Sequence, residues 1–136
     1  HSLIYKGARG GALELGHIPL LMIDGKTKTL EELIGGRFLT KKYKVNDVTE
    51  LYKTDKKTIK EVFKRFAQGL AIAINITNPD VVVIGGGVSN LPRPAFNEII
   101  SLTKKYALPT HTKNLSIKKY AISDDAGLLG IAIIFL

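Results

Sequence analysis

Cysteine is absent from the 136 residues. That excludes disulfides and any cysteine-held metal, and it fits a cytoplasmic chain. Long apolar runs are missing too. The longest, "AGLLGIAIIFL", has eleven residues, short of the roughly 18 to 20 that a membrane helix needs. Proline is scarce, with five in all, and the apolar content is ordinary, so disorder is not expected away from the ends. The opening "HSLIYKGARG" shows no apolar h-region. A chain that opens in mid-strand reads as cut from something longer. Arginine is sparse: sixteen of the twenty cationic residues are lysine, set in scattered doublets such as Lys41-Lys42, Lys56-Lys57 and Lys118-Lys119. The net charge of +8 therefore reads as solvated helix surface rather than a nucleic-acid interface, because no aromatic interleaving or groove-reading motif accompanies it.

What is present reads as one α/β domain. Residues 2–6 suggest a short strand. From Thr29, a plausible N-cap, Leu30, Leu33, Ile34 and Phe38 recur at helical spacing, and Gly35-Gly36 should weaken or bend that helix. Residues 45–53 read as a short helix capped by Asn46 or Asp47. A long helix follows from near Asp55, with Ile59, Val62, Phe63, Phe66 and Leu70 in one stripe. Its second half, "GLAIAINI", is apolar nearly all round and should be buried on more than one side. "NPD" ends it, and "VVVI" then reads as a parallel strand covered on both faces. A helix bearing Phe96, Ile99, Ile100 and Thr103, a strand within 115–122 and an apolar terminal helix from Ser123 complete the order.

Two stretches could carry chemistry. The strand "VVVI" breaks into Gly85, Gly86 and Gly87, where bare backbone admits close approach and N–H groups can donate to a ligand. In parallel α/β sheets, ligands sit beyond the carboxyl ends of strands. The turn matches neither a P-loop nor a GxGxxG fingerprint, and a plain strand-to-helix turn explains it equally well. Glu14 and His17 are three apart, so a turn or short helix would project them to one side. Such a pair can bind adjacent sugar hydroxyls or act as acid and base. Spacing alone favours the plainer reading, with Glu14 on the surface and His17 a donor to a main-chain carbonyl.

Taken together the motifs resemble a known family. "GGALELGHIPL" is similar to the Glu-x-Gly-His segment of the ROK family (repressors, open reading frames and sugar kinases). "NPDVVVIGGGVS" resembles its adenosine-side glycine turn, and "SDDAGLLGIAII" its C-terminal Asp-Asp-Ala-Gly-Leu helix. The resemblance runs nearly end to end. It implies the actin-like, ribonuclease-H-like ATPase fold, with residues 1–136 forming a single C-terminal lobe of long helices packed on a mixed sheet. The family's phosphate loop and its Asn-Asp pair with the catalytic base have no counterpart here, so no catalytic residue is expected in this chain. By the resemblance, Glu14 and His17 would bind sugar ring hydroxyls, as would Glu31 in "TLEEL", and Gly85, Gly86 and Gly87 would flank the nucleotide.

One departure is sharp. Many family members place a cysteine-rich zinc loop between the histidine and the last acid. In register here stand Met22, Asp24, Gly25, Lys28 and Thr29. A structural zinc takes about four ligands, and only His17 and Asp24 remain locally, so zinc is not expected. Packing by Leu20, Leu21 and Met22 would hold the loop instead. The implied function is the sugar- and nucleotide-binding lobe of an ATP-dependent hexose kinase of glucokinase type, inactive alone. ATP with Mg²⁺ would be used by the whole protein, in the cytoplasm and as a homodimer. The alternatives are the sugar-sensing domain of a repressor or a non-catalytic dimerisation lobe. Neither a membrane nor nucleic acid is an expected partner.

Overall fold

A computed structural model describes residues 4–22 and 24–120. The expected terminal helix and its Asp-Asp-Ala-Gly-Leu motif lie outside the described residues, as do the first two positions of the expected opening strand. Residues 4–6 form no strand.

A 3₁₀ turn over Leu15–His17 comes first, followed by strands β1 (Pro19–Leu21) and β2 (Thr27–Thr29). These pair antiparallel, with Pro19 opposite Thr29. The segment expected as a packed loop is therefore a hairpin. Gly25 takes a left-handed φ of +78°, the Met22 amide donates to Lys26 O at 2.8 Å and the Gly25 amide to Met22 O at 3.0 Å. Asp24-Gly25 is the residue pair such tight turns select. Backbone hydrogen bonds close the turn.

Helices α1 (Leu30–Ile34) and α2 (Gly36–Tyr43) follow without a linker beyond Gly35. Thr29 caps α1 in a reciprocal box: the Glu32 amide donates to Thr29 Oγ1 and the Thr29 amide to Glu32 Oε2. The break at Gly35 resets the helical phase. Phe38, expected on the buried stripe, is 43 % exposed, and Leu39 is buried in its place.

Helix α3 (Val48–Thr54) takes Asp47 as its N-cap, and α4 (Lys56–Thr77) takes Asp55, whose side chain accepts from the Lys57 and Thr58 amides. At 22 residues, α4 runs about 33 Å and links two packing clusters. Its first half buries Ile59, Val62 and Phe63 with Leu39, Leu51, Leu91 and Ile99. Its second half buries Ala71 and Ile74 with Ala107 and Leu115. Each fully buried side chain of this size stabilises by about 1.5–3 kcal/mol. The all-round burial expected of the second half stops short of Ile76, which is 69 % exposed.

Beyond α4, β3 (Val81–Ile84) runs parallel to β4 (Ser116–Lys119), with Val83 opposite Lys118. Between them lie α5 (Arg93–Tyr106), which packs on α4, and α6 (Pro109–Thr112), a single turn that was not expected. Two expectations give way here. Among the described residues the sheet is two separate two-stranded pieces, one antiparallel and one parallel, instead of one mixed sheet. Among the described residues, strand β3 is covered on one face only: Ile84 is buried, but Val81 and Val83 are 49 % and 59 % exposed.

Candidate functional site

The turn carrying Glu14 and His17 is built by a tight reversal of the chain. The Ala12 amide donates to Lys6 O at 3.1 Å, and Leu13 adopts a left-handed φ of +62°. A non-glycine residue in that region costs about 1 kcal/mol or more. The kink launches the 3₁₀ turn, in which the His17 amide donates to Glu14 O at 3.1 Å. Glu14 and His17 thus stand at the two ends of one turn, and both are exposed.

Glu31 is brought to the same place by the hairpin. Pairing of β1 with β2 returns the chain to its start, and the Leu30 amide donates to Ile18 O at 3.0 Å. That bond seats the first turn of α1 directly on the 3₁₀ turn. Of its two adjacent acids, Glu32 is committed to the Thr29 cap, whereas Glu31 lies over Gly16. A Cβ built at Gly16 would stand 3.4 Å from Glu31 Cβ and 3.8 Å from Glu31 Oε2. On its other side, a Cβ at Gly35 would fall 2.6 Å from Glu31 O and 2.9 Å from its Cγ. Two glycines therefore flank Glu31, and one of them, Gly16, lies in the turn that bears Glu14 and His17. Two carboxylates and an imidazole, all solvent-facing, can together accept from and donate to the hydroxyls of a polyol. Among the described residues no three His, Asp or Glu side chains group to hold a metal.

Sequence alone assigns Gly16 no part in the site and reads Gly35 only as weakening or bending a helix. The signal for Gly16 lay inside the Glu-x-Gly-His motif, but nothing in the sequence shows what approaches it.

The glycine turn lies elsewhere on the chain, at the carboxyl end of β3. Gly85 is extended, Gly86 has a left-handed φ of +67°, and a second 3₁₀ turn spans Gly86–Asn90. All three glycines are exposed, and a Cβ at Gly86 would meet nothing within 4 Å. A cleft of about 350 Å³ opens beside the turn. Gly87, Val88 and Leu91 form one wall, and Phe63 and Phe66 of α4 line it as well, with Arg37 and Asn46 adding polar groups. Its volume suits a small planar ligand. The position of the turn is held from β4: the Tyr120 amide donates to Ile84 O at 2.9 Å, and Lys119 Nζ donates to Leu91 O. Lys119, which reads in sequence as half of a surface doublet, is half-buried and sits 5.1 Å from the Phe96 ring centroid.

A model of the ROK family matches residues 2–136. Glucokinase from Thermotoga maritima is 31% identical over 71 residues, which are 52% of this chain and 22% of that protein. Among solved structures, the ROK hexokinase of Thermus thermophilus superposes with a TM-score of 0.73 at 28% identity, covering 96% of this chain and 49% of its own. A putative sugar kinase from Cytophaga hutchinsonii gives 0.68 at 21% identity, covering 96% of this chain and 50% of its own. A ROK family transcriptional regulator, a homologue of the E. coli MLC protein, gives 0.68 at 19%, with 96% and 40% covered. These last two likenesses bear on fold alone. The chain spans about half the length of the two kinase structures.

Proposed function

The chain belongs to the ROK family, and from that premise we propose that it is the C-terminal, sugar- and nucleotide-binding lobe of an ATP-dependent hexose kinase. The observation that carries this reading is the seating of Glu31 on Gly16, beside the turn that bears Glu14 and His17. Acids and an imidazole gathered there can orient ring hydroxyls through hydrogen bonds to charged acceptors. Their part is positioning: a sugar held in one pose meets the second substrate at high effective concentration. The base that takes the hydroxyl proton comes, in this reading, from outside these residues.

ATP fits the second site. The exposed glycines admit close approach to the backbone, and the adjoining apolar cleft has room for a base. Residues 85–90 carry no carboxylate, so Mg²⁺ would be held by the nucleotide phosphates and by groups beyond this turn. When bound, the ion neutralises phosphate charge. The glucokinase and hexokinase relatives support sugar phosphorylation over sugar sensing, as does the glycine turn. A cytoplasmic homodimer belongs to the same proposal, and light scattering on the intact protein measures the dimer.

The test is ADP release by the full-length protein with a panel of hexoses. Sugar-dependent ADP formation is expected. Saturable sugar binding without ADP release would overturn the kinase reading in favour of a sensor.

A further inference from the structure

Another cleft lies between α4 and the end of α5. It encloses about 600 Å³ and shares no residue with the Glu14–His17 turn or the glycine turn. Its polar lining is Arg65, Gln68, Asn75, Lys105 and Tyr106, over an apolar floor that includes Ile72. Among the described residues, no aspartate or glutamate lines it. Glu61, one turn before Arg65, is held by Lys64 at 2.6 Å.

The hydrogen bonding around the cleft makes this rim donor-rich. Arg65 Nη1 donates to Gln68 Oε1 at 3.2 Å, which orients the half-buried guanidinium and occupies the amide oxygen. The Leu108 amide donates to Asn75 Oδ1 at 2.9 Å, which occupies that oxygen in turn. In both cases the donor dictates which end of the amide faces it, leaving the NH₂ of Gln68 and of Asn75 to donate. Among the described residues, two cations, two amide NH₂ groups and a phenol therefore line one cleft with no acid among them. We infer that this cleft binds the phosphate group of a small phosphorylated molecule, a ligand that goes beyond the hexose and ATP proposed above. A dianion balances the Arg65 and Lys105 charges, and its several oxygens match an array of donors better than the two of a carboxylate. The volume leaves room for a few carbons beyond the phosphate.

The test is calorimetric titration of the full-length protein with inorganic phosphate and, separately, glycerol phosphate, with chloride at matched ionic strength as the control for screening. Saturable binding of either phosphate is expected, glycerol phosphate being tighter if the ester is the ligand. Arg65→Gln and Lys105→Gln should each weaken it about tenfold, the loss of one charge-assisted hydrogen bond. Glu14→Ala should leave it unchanged, so the result stands apart from the sugar site. Lys105 is exposed, so its replacement keeps the test open even if the Arg65 variant misfolds. No saturable binding beyond the chloride control, or equal affinity in the Lys105 variant, would overturn the assignment.

Discussion

Lys119 on β4 donates from Nζ to the main-chain oxygen of Leu91, 28 residues earlier in the chain. The contact ties the parallel strand pair to the far end of the glycine turn. Hydrogen bonds from charged donors contribute about 1.5–3 kcal/mol, and partial exposure of Lys119 places this one toward the lower end. Lys119→Met should lower the affinity of the full-length protein for ATP by several fold while leaving sugar affinity intact, and Lys119→Arg should restore part of it. Equal losses for sugar and ATP would mean that the lysine supports the fold in general rather than the turn.

The closeness of Gly16 to Glu31 makes a graded prediction. A methyl at Gly16 would make ordinary contact with Glu31 at 3.4 Å, so Gly16→Ala should be nearly neutral. Gly16→Val adds branches with no room beside that carboxylate and should displace it. Sugar affinity in the full-length protein should then fall about tenfold, the worth of one hydrogen bond to a charged group, with the melting temperature little changed. Affinity equal to wild type in the valine variant would remove Glu31 from the site.

Glu14 is exposed at the head of its turn and its side chain makes no capping hydrogen bond. Its replacement should therefore cost binding without costing stability. Glu14→Ala is expected to weaken sugar binding about tenfold or more by calorimetry, with an unchanged unfolding transition. Unchanged sugar affinity would return Glu14 to plain surface.

Helix α4 was legible because its signals agree: a capping aspartate, a 3.6-residue stripe, and Asn-Pro at the end. The cap at Thr29 was legible for the same reason, while that of α3 was narrowed only to Asn46 or Asp47. The β1–β2 hairpin was not, since strands of three residues show too little alternation. Phe38 was misplaced because Gly35 starts a new helical phase, which a single continuous stripe across the glycines conceals. Within the site, Glu14 and His17 stood out by spacing. Glu31 did not, because only the hairpin's return brings it across. Lys119 and Arg65 read as solvated charge, whereas the pairing of strands and helices leaves both half-buried.

Gly69 of α4 is buried under Leu30 of α1. A Cβ there would overlap Leu30 Cδ2 and stand 3.2 Å from its Cδ1. Helix propensity alone favours Gly→Ala by about 1 kcal/mol, whereas overpacking costs roughly 1–3 kcal/mol. Leu30 is 2 % exposed and has little room to retreat, so the second effect should win. Gly69→Ala is expected to destabilise by about 1 kcal/mol in denaturant unfolding. A gain in stability would show that α1 shifts freely on α4.

Asp55 links N-cap geometry to pH. Hydrogen bonding from Thr58, then from the Lys57 amide, holds its carboxyl below the ordinary value. A depressed folded-state value means that the carboxylate stabilises the fold above the ordinary carboxyl range, near 4. That contribution is lost as pH falls through the folded value. Asn caps a helix about as well as Asp but does not titrate, so Asp55→Asn isolates the charge. The melting temperature of wild type minus that of the variant should be constant near neutrality and shrink below about pH 4. A difference that stayed flat to the acid limit would show that the cap acts through geometry alone, with no contribution from the charge.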